Sequence, residues 1–170
     1  MSDKIVYHSR IFDIREVTEP GGAKKAYLIH PGSVAIVPLL EKDGVMHVVL
    51  VRQTRGAAGE RLLELPAGTR EPGESAETTA RRELPEEIGY ACDSIERIGG
   101  FFLAPGYSSE FMDLFVARGL REEHAEADAD EDIDVETIPL AEAVRRAYAG
   151  EFRDVKTVAG ILMVAQSTHE

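Results

Sequence analysis

Residues 68–90 read GTREPGESAETTARRELPEEIGY, and this stretch governs the reading of the rest of the chain. Ala76, Ala80, Leu84 and Ile88 recur every four residues, the spacing that lines apolar groups along one helix face. Glu83 and Glu87 are also four apart, and Glu86 is three from Glu83, so the three carboxylates share one side beside that stripe. Pro72-Gly73 makes a turn, Ser75 is placed as the N-cap, and Glu77 falls in the first turn, where a negative charge suits the helix dipole. Gly68 and Gly89 bracket the unit and are expected to take positive φ. Arg82 keeps its charge. It either holds Glu74 or a ligand carboxylate through paired hydrogen bonds, or makes an ordinary surface pair with Glu86. Pro85 stands inside the predicted helix. It cannot donate to the Arg81 carbonyl and crowds that turn, at a cost of about 3 kcal/mol in an ordinary helix. A bend near residues 81–84, with a looser or 3₁₀-like turn, is the expected result.

Crowded carboxylates raise one another's pKa unless a cation neutralises them. Oxygen ligands of this kind suit Mg²⁺ or Mn²⁺, held by a few carboxylates together with substrate phosphates. A solvated acidic helix face is the plainer alternative, and the placed glycines and arginine weigh against it. The 170-residue chain carries a formal charge of −12, which argues against nucleic acid or an anionic membrane as the main partner. An acidic protein that binds a phosphate compound must also recruit cations. Its 44% hydrophobic and 29% charged content fits one globular domain with a real core. A single cysteine, Cys92, leaves no disulfide or zinc framework. The five histidines, His8, His30, His47, His124 and His169, show no ligand spacing. The opening MSDKIVYHSR lacks a signal peptide's apolar core and no run is long enough to span a bilayer, so a cytoplasmic location is expected.

Short strands are predicted over 4–7, 12–18 and 25–30, broken at Pro20-Gly21-Gly22. An apolar run over 33–40 turns at Glu41-Lys42-Asp43-Gly44 and returns as 45–52, a hairpin with Asp-Gly at its tip. Further strands are predicted over 94–102, 111–117 and 135–138. A helix over 140–149 turns Ala143, Val144 and Ala147 inward. A last helix is capped by Asp154, with Val155, Val158, Ala159, Leu162 and Met163 as its buried stripe. The fold class is α+β, a mixed sheet with helices packed on it.

Gly68, Glu74, Arg82-Glu83-Leu84, Glu86-Glu87 and Gly89-Tyr90 fill every specified position of the Nudix box, a pattern spread over 23 residues. On these residues the chain resembles the Nudix hydrolases, which cleave a nucleoside diphosphate linked to another group. The resemblance implies an α/β/α sandwich. It extends to Val51-Arg52-Gln53-Thr54-Arg55, Glu64-Leu65-Pro66-Ala67-Gly68 and Ala104-Pro105-Gly106-Tyr107-Ser108-Ser109-Glu110. These segments are similar to the ADP-ribose pyrophosphatase branch, which carries a proline about fifteen residues past the box; Pro105 lies fifteen past Tyr90. GDP-mannose pyrophosphatases share the Leu-Pro-Ala-Gly approach and are the nearest rival. A sensor that binds ADP-ribose without turnover is the alternative of another class. The retained carboxylates speak against it.

The resemblance also assigns roles. Divalent metal falls to Glu83, Glu86, Glu87 and the Ala67 carbonyl, with Arg82 in the catalytic set. Arg55, with Arg52 as second choice, contacts the substrate, a nucleoside diphosphate sugar; Glu64, Pro105 and Glu110 are further substrate-side positions. One glutamate from the acidic stretch 122–134 serves as general base or metal ligand, and Glu131 matches it best. Relatives of this branch are homodimers built through their N-terminal strands. Residues 1–32 are accordingly expected to form a dimerising strand region, with Phe12, Ile14, Tyr27 and Ile29 in need of cover, and 33–170 the Nudix domain.

Overall fold

The computed structural model describes residues 3–123 and 132–167. Three strands, β1 (Asp3–His8), β2 (Asp13–Thr18) and β3 (Lys24–Ile29), form an antiparallel N-terminal sheet in the order β1-β2-β3. The larger sheet is mixed. β4 (Ser33–Lys42) and β5 (Val45–Arg55) form the predicted hairpin. Asp43 at φ 52° and Gly44 at φ 75° both take the left-handed conformation that a two-residue hairpin tip demands. β5 runs three residues beyond its predicted end, into a further hairpin with β6 (Glu60–Glu64). A short strand, β7 (Ala67–Thr69), pairs with the start of β4. β8 (Tyr90–Phe102), β9 (Phe111–Glu122) and β10 (Ile133–Pro139) complete the order β10-β5-β4-β9-β8, in which only β4 and β9 run parallel.

β4 is shared along one edge: its first residues pair with β7 and its last with β5. Between them the chain crosses at Pro66, whose carbonyl accepts from the Ile36 N–H (2.9 Å). This split brings the Leu-Pro-Ala-Gly segment against the middle of the sheet.

Alternation along β4 builds two cores. Val34 and Ile36 pack with Val49, Val51, Ala80, Leu84 and Ile88 under the first helix, α1 (Ala76–Glu83). Ala35, Val37 and Leu39 face the opposite side, against α2 (Leu140–Tyr148) and α3 (Val155–Ser167). The result is an α/β/α sandwich, as expected. Ala143 and Ala147 of α2 are buried and Val144 packs against them, also as expected.

α3 corrects one expectation. Asp154 does cap it, accepting from the Thr157 N–H (3.0 Å). Val158 and Leu162 pack against the core as expected, but the buried residues are Lys156, Thr157, Gly160, Ile161 and Val164, while Val155 and Met163 are 63% and 39% exposed. A Cβ on Gly160 would lie 2.5 Å from Leu65, so the helix sits against the sheet along its smallest residue. Hydropathy periodicity cannot register a glycine contact, nor a buried lysine and threonine held by polar partners.

The N-terminal sheet is joined to the rest through the 104–109 loop. Leu28 N–H donates to the Tyr107 carbonyl (2.8 Å) and Ser109 N–H to the Leu28 carbonyl (2.9 Å). Phe12, Ile14, Tyr27 and Ile29 are already half-buried; the large apolar groups left open are Ile5, Val6, Tyr7 and Ile11, each about half exposed.

Candidate active site

α1 begins as its sequence demands, with Ser75 Oγ accepting from the Thr78 N–H (3.1 Å). Just before it, Glu74 is fixed by the Glu71 N–H (3.2 Å) and the Thr79 hydroxyl (2.9 Å). Arg82 rises from α1 into the centre of the acidic group. It reaches Glu74 Oε1 at 3.3 Å, Glu83 Oε1 at 2.9 Å and Glu86 Oε2 at 2.8 Å. The two readings of Arg82 therefore hold together: it grips Glu74 and pairs with Glu86. Burial opposes its charge, but the bond to Glu74 and the charges of Glu83 and Glu86 outweigh that and raise its pKa. Burial likewise opposes ionisation of Glu74, yet the Arg82 bond and its two further donors hold this carboxyl below the ordinary range.

Gly68 is not in the positive-φ region that was expected of it. Its requirement is steric. A Cβ there would lie 1.8 Å from Glu83 Oε1 and 2.0 Å from its carboxyl carbon. The Glu83 carboxylate rests where any other residue would put a side chain. Glu87 is tied to the same segment, its Oε2 accepting from the Ala67 N–H (2.9 Å). β7 thus meets two of the box glutamates within two residues.

Pro85 has a specific consequence. α1 ends at Glu83, and residues Leu84–Ile88 form one π turn, closed by Gly89 N–H on the Leu84 carbonyl with Gly89 at φ 74°. The turn is wider than α-helical, not 3₁₀-like. The proline stands at the start of this wider turn, and the left-handed Gly89 releases the chain into β8. Leu84 and Ile88 remain buried, so the apolar stripe survives the change of pitch.

The other sequence-derived positions are dispersed around this centre. Arg55, at the end of β5, gives Nε and Nη2 to the two oxygens of Glu64 (2.9 and 2.8 Å). Glu64 is almost wholly buried and also meets Lys156 of α3. Burial alone would raise the Glu64 pKa, but Arg55 and Lys156 lower it. Arg52 instead pairs with Glu136 on β10 (2.8 Å). Glu110 accepts from the Ser33 hydroxyl (2.8 Å) at the start of β4. Pro105 lines a cavity of about 330 Å³ with Tyr27, Ile29, Phe102, Ser108 and Ser109. Glu131 lies outside the described residues. Lys156 and Thr157 are not singled out by the sequence, and Asp154 only as a helix cap; the signal for Lys156 was a lysine inside an otherwise apolar helix.

Residues 29–159 match the family profile described as NUDIX domain. This chain belongs to the Nudix family. It is 32% identical over 162 residues to an ADP-ribose pyrophosphatase of Bacillus subtilis, covering 92% of this chain and 86% of that protein. It is 36% identical over 175 residues to an ADP-ribose pyrophosphatase of Mycobacterium tuberculosis, covering 96% and 81%. A crystal structure of an ADP compounds hydrolase superposes with a TM-score of 0.80 at 26% identity, covering 98% of this chain and 91% of that one. The chain is thus a Nudix hydrolase by family and by fold.

The Nudix box suits a hard divalent cation by its chemistry. Glu74, Glu83 and Glu86 gather about one guanidinium, Glu87 is held by the Ala67 N–H, and the bare Gly68 leaves Glu83 room to pack against the backbone. Among the described residues, no three such side chains already stand in ligand geometry. Glu83 and Glu86 are turned to Arg82 and would have to swing from it to share an ion. Among the described residues, too, no helix is long and apolar enough to cross a membrane.

Proposed function

We propose that this Nudix hydrolase cleaves the pyrophosphate of ADP-ribose to AMP and ribose 5-phosphate in the cytoplasm, using Mg²⁺ or Mn²⁺. The observation that carries the reading is the box itself: Arg82 joins Glu74, Glu83 and Glu86, and Glu83 lies against Gly68 where a Cβ would collide with it. The names of the relatives matched along most of their length support the substrate class.

Glu83, Glu86, Glu87 and the Ala67 carbonyl would hold the ion. When bound, it supplies Lewis acidity toward the phosphoryl oxygens and lowers the pKa of the attacking water. Everything else is positioning by the chain. The Ala67 amide orients Glu87, and Arg82 holds Glu74, Glu83 and Glu86 in register. Water attacks one phosphorus in line with the leaving phosphate, and Glu131 or a box glutamate takes its proton. Arg55 meets a phosphate, and the Pro105 cavity, walled by Tyr27, Ile29 and Phe102, receives the flat apolar part of the nucleotide. A second copy of the chain covers the open apolar groups of β1, making a homodimer of 1–32 strand regions.

The test is turnover of ADP-ribose, GDP-mannose, diadenosine polyphosphates and oxidised nucleoside triphosphates with Mg²⁺ and with Mn²⁺. A preference for ADP-ribose supports the proposal. A clear preference for GDP-mannose overturns the substrate, and tight ADP-ribose binding without turnover would make the protein a sensor.

A further inference from the structure

We propose that Lys156 is a positioning residue: from α3 it fixes Glu64, and through Glu64 it presents Arg55 to a diphosphate. This deepens the function proposed above and rests on it.

The groups concerned form one continuous network between α3 and the end of the β5–β6 hairpin. Lys156, its side chain 8% exposed, contacts both Glu64 and Asp154, the latter at 3.0 Å. Glu64, 2% exposed, receives Arg55 along the full Nε/Nη2 edge. Thr157 donates its hydroxyl to Asp154 and accepts the Leu65 N–H (2.8 Å) on the same oxygen. Two cations and two carboxylates are balanced, so the cluster carries no net charge.

Stability alone is a poor reason to keep it. Buried ion networks are commonly matched or exceeded by apolar residues of similar volume. Its placement suggests the better reason. Glu64 and Leu65 lie just before Ala67 and Gly68, which seat Glu87 and Glu83. Arg55 is held on Glu64, three residues before the Ala67 that seats Glu87, so the clamp stands beside the segment that carries the box glutamates. Glu64 occupies one edge of the guanidinium, and 40% of the Arg55 side chain remains exposed. A guanidinium clamped on one edge loses little freedom when its other edge meets phosphate oxygens. Without Lys156, Glu64 keeps one cation instead of two and is free to turn toward solvent, taking Arg55 with it.

The experiment is a double-mutant cycle read by calorimetric binding of ADP in Mg²⁺ buffer. ADP carries the diphosphate but no second group to release. Lys156→Met is expected to weaken ADP binding about tenfold, and Lys156→Arg to restore most of it. In an Arg55→Ala background Lys156→Met should add almost nothing, because its effect travels through Arg55. Should Lys156→Met fail to fold, the pair Glu64→Gln with Lys156→Met removes both buried charges and is expected to show the same loss of affinity. Unchanged affinity in a folded variant, an additive loss in the Arg55→Ala background, or no ADP binding by the wild type would overturn the proposal. Turnover of ADP-ribose is scored separately, so a different preferred nucleotide substrate refutes the proposed function while the ADP cycle still decides Lys156.

Discussion

Gly68→Ala is the most direct probe of the site. The added methyl would sit 1.8 Å from Glu83 Oε1, and ordinary contact begins near 3.4 Å, so the oxygen must retreat by about 1.6 Å. Two responses are open. Glu83 can swing away, or β7 can move off, taking with it the Ala67 N–H that holds Glu87. Either displaces at least one glutamate of the reacting centre. A misplacement of about 1 Å can cost on the order of a hundredfold in rate, so kcat is expected to fall about 100-fold with a smaller change in KM. Overpacking typically costs about 1–3 kcal/mol, and because a carboxylate terminus yields more easily than backbone, the low end is expected. For a chain of this size that corresponds to a loss of roughly 2–4 °C in Tm. Initial rates on ADP-ribose at saturating Mg²⁺, beside thermal melts followed by circular dichroism, measure both. Gly56→Ala is the control, since its Cβ would meet nothing within 4 Å. A folded Gly68→Ala protein whose kcat stays within about threefold of wild type would refute the steric account of this glycine.

Three further outcomes are expected. Pro85→Ala restores a backbone donor and favours an α-helical pitch, so the metal-free protein should gain a few degrees in Tm while kcat falls; a joint rise in both would mean the π turn is a defect. Glu64 is held below the ordinary carboxylate value of 4.5, so the stability it lends is present above that value and lost as pH falls through its lowered folded pKa. Glu64→Gln should therefore lower Tm at neutral pH, and its gap from wild type should narrow on acidification; a gap constant from pH 7 to pH 3 would contradict this. Val6→Glu, in the open face of β1, should yield an 18.6 kDa monomer in light scattering with reduced activity, whereas a fully active wild-type monomer would remove the dimer from the proposal.

What the sequence carried, and what it could not, separates along physical lines. The cap at Ser75, the Asp43-Gly44 hairpin tip and the inward face of α2 all follow from interactions within a few residues, and they stand where the sequence puts them. The failures involve partners far apart in the chain. Gly68 looked like a turn glycine because local reasoning about glycine concerns φ. Its constraint comes from Glu83, fifteen positions on, which reaches it only after the sheet splits at Pro66. Lys156 spoiled the reading of α3 because its charge is cancelled by Glu64, ninety-two residues away. Pro85 lies between these cases. The clash is local and was foreseen, but two turns could relieve it, and the choice depended on the surroundings. A 3₁₀ turn would tighten the helix and swing Ile88 off the apolar stripe. A π turn keeps Leu84 and Ile88 in the core while Glu86 still reaches Arg82 and Glu87 still reaches Ala67. The wider turn is the one that satisfies both the core and the acidic centre, so the proline, unwelcome in an isolated helix, matches the pitch this site requires.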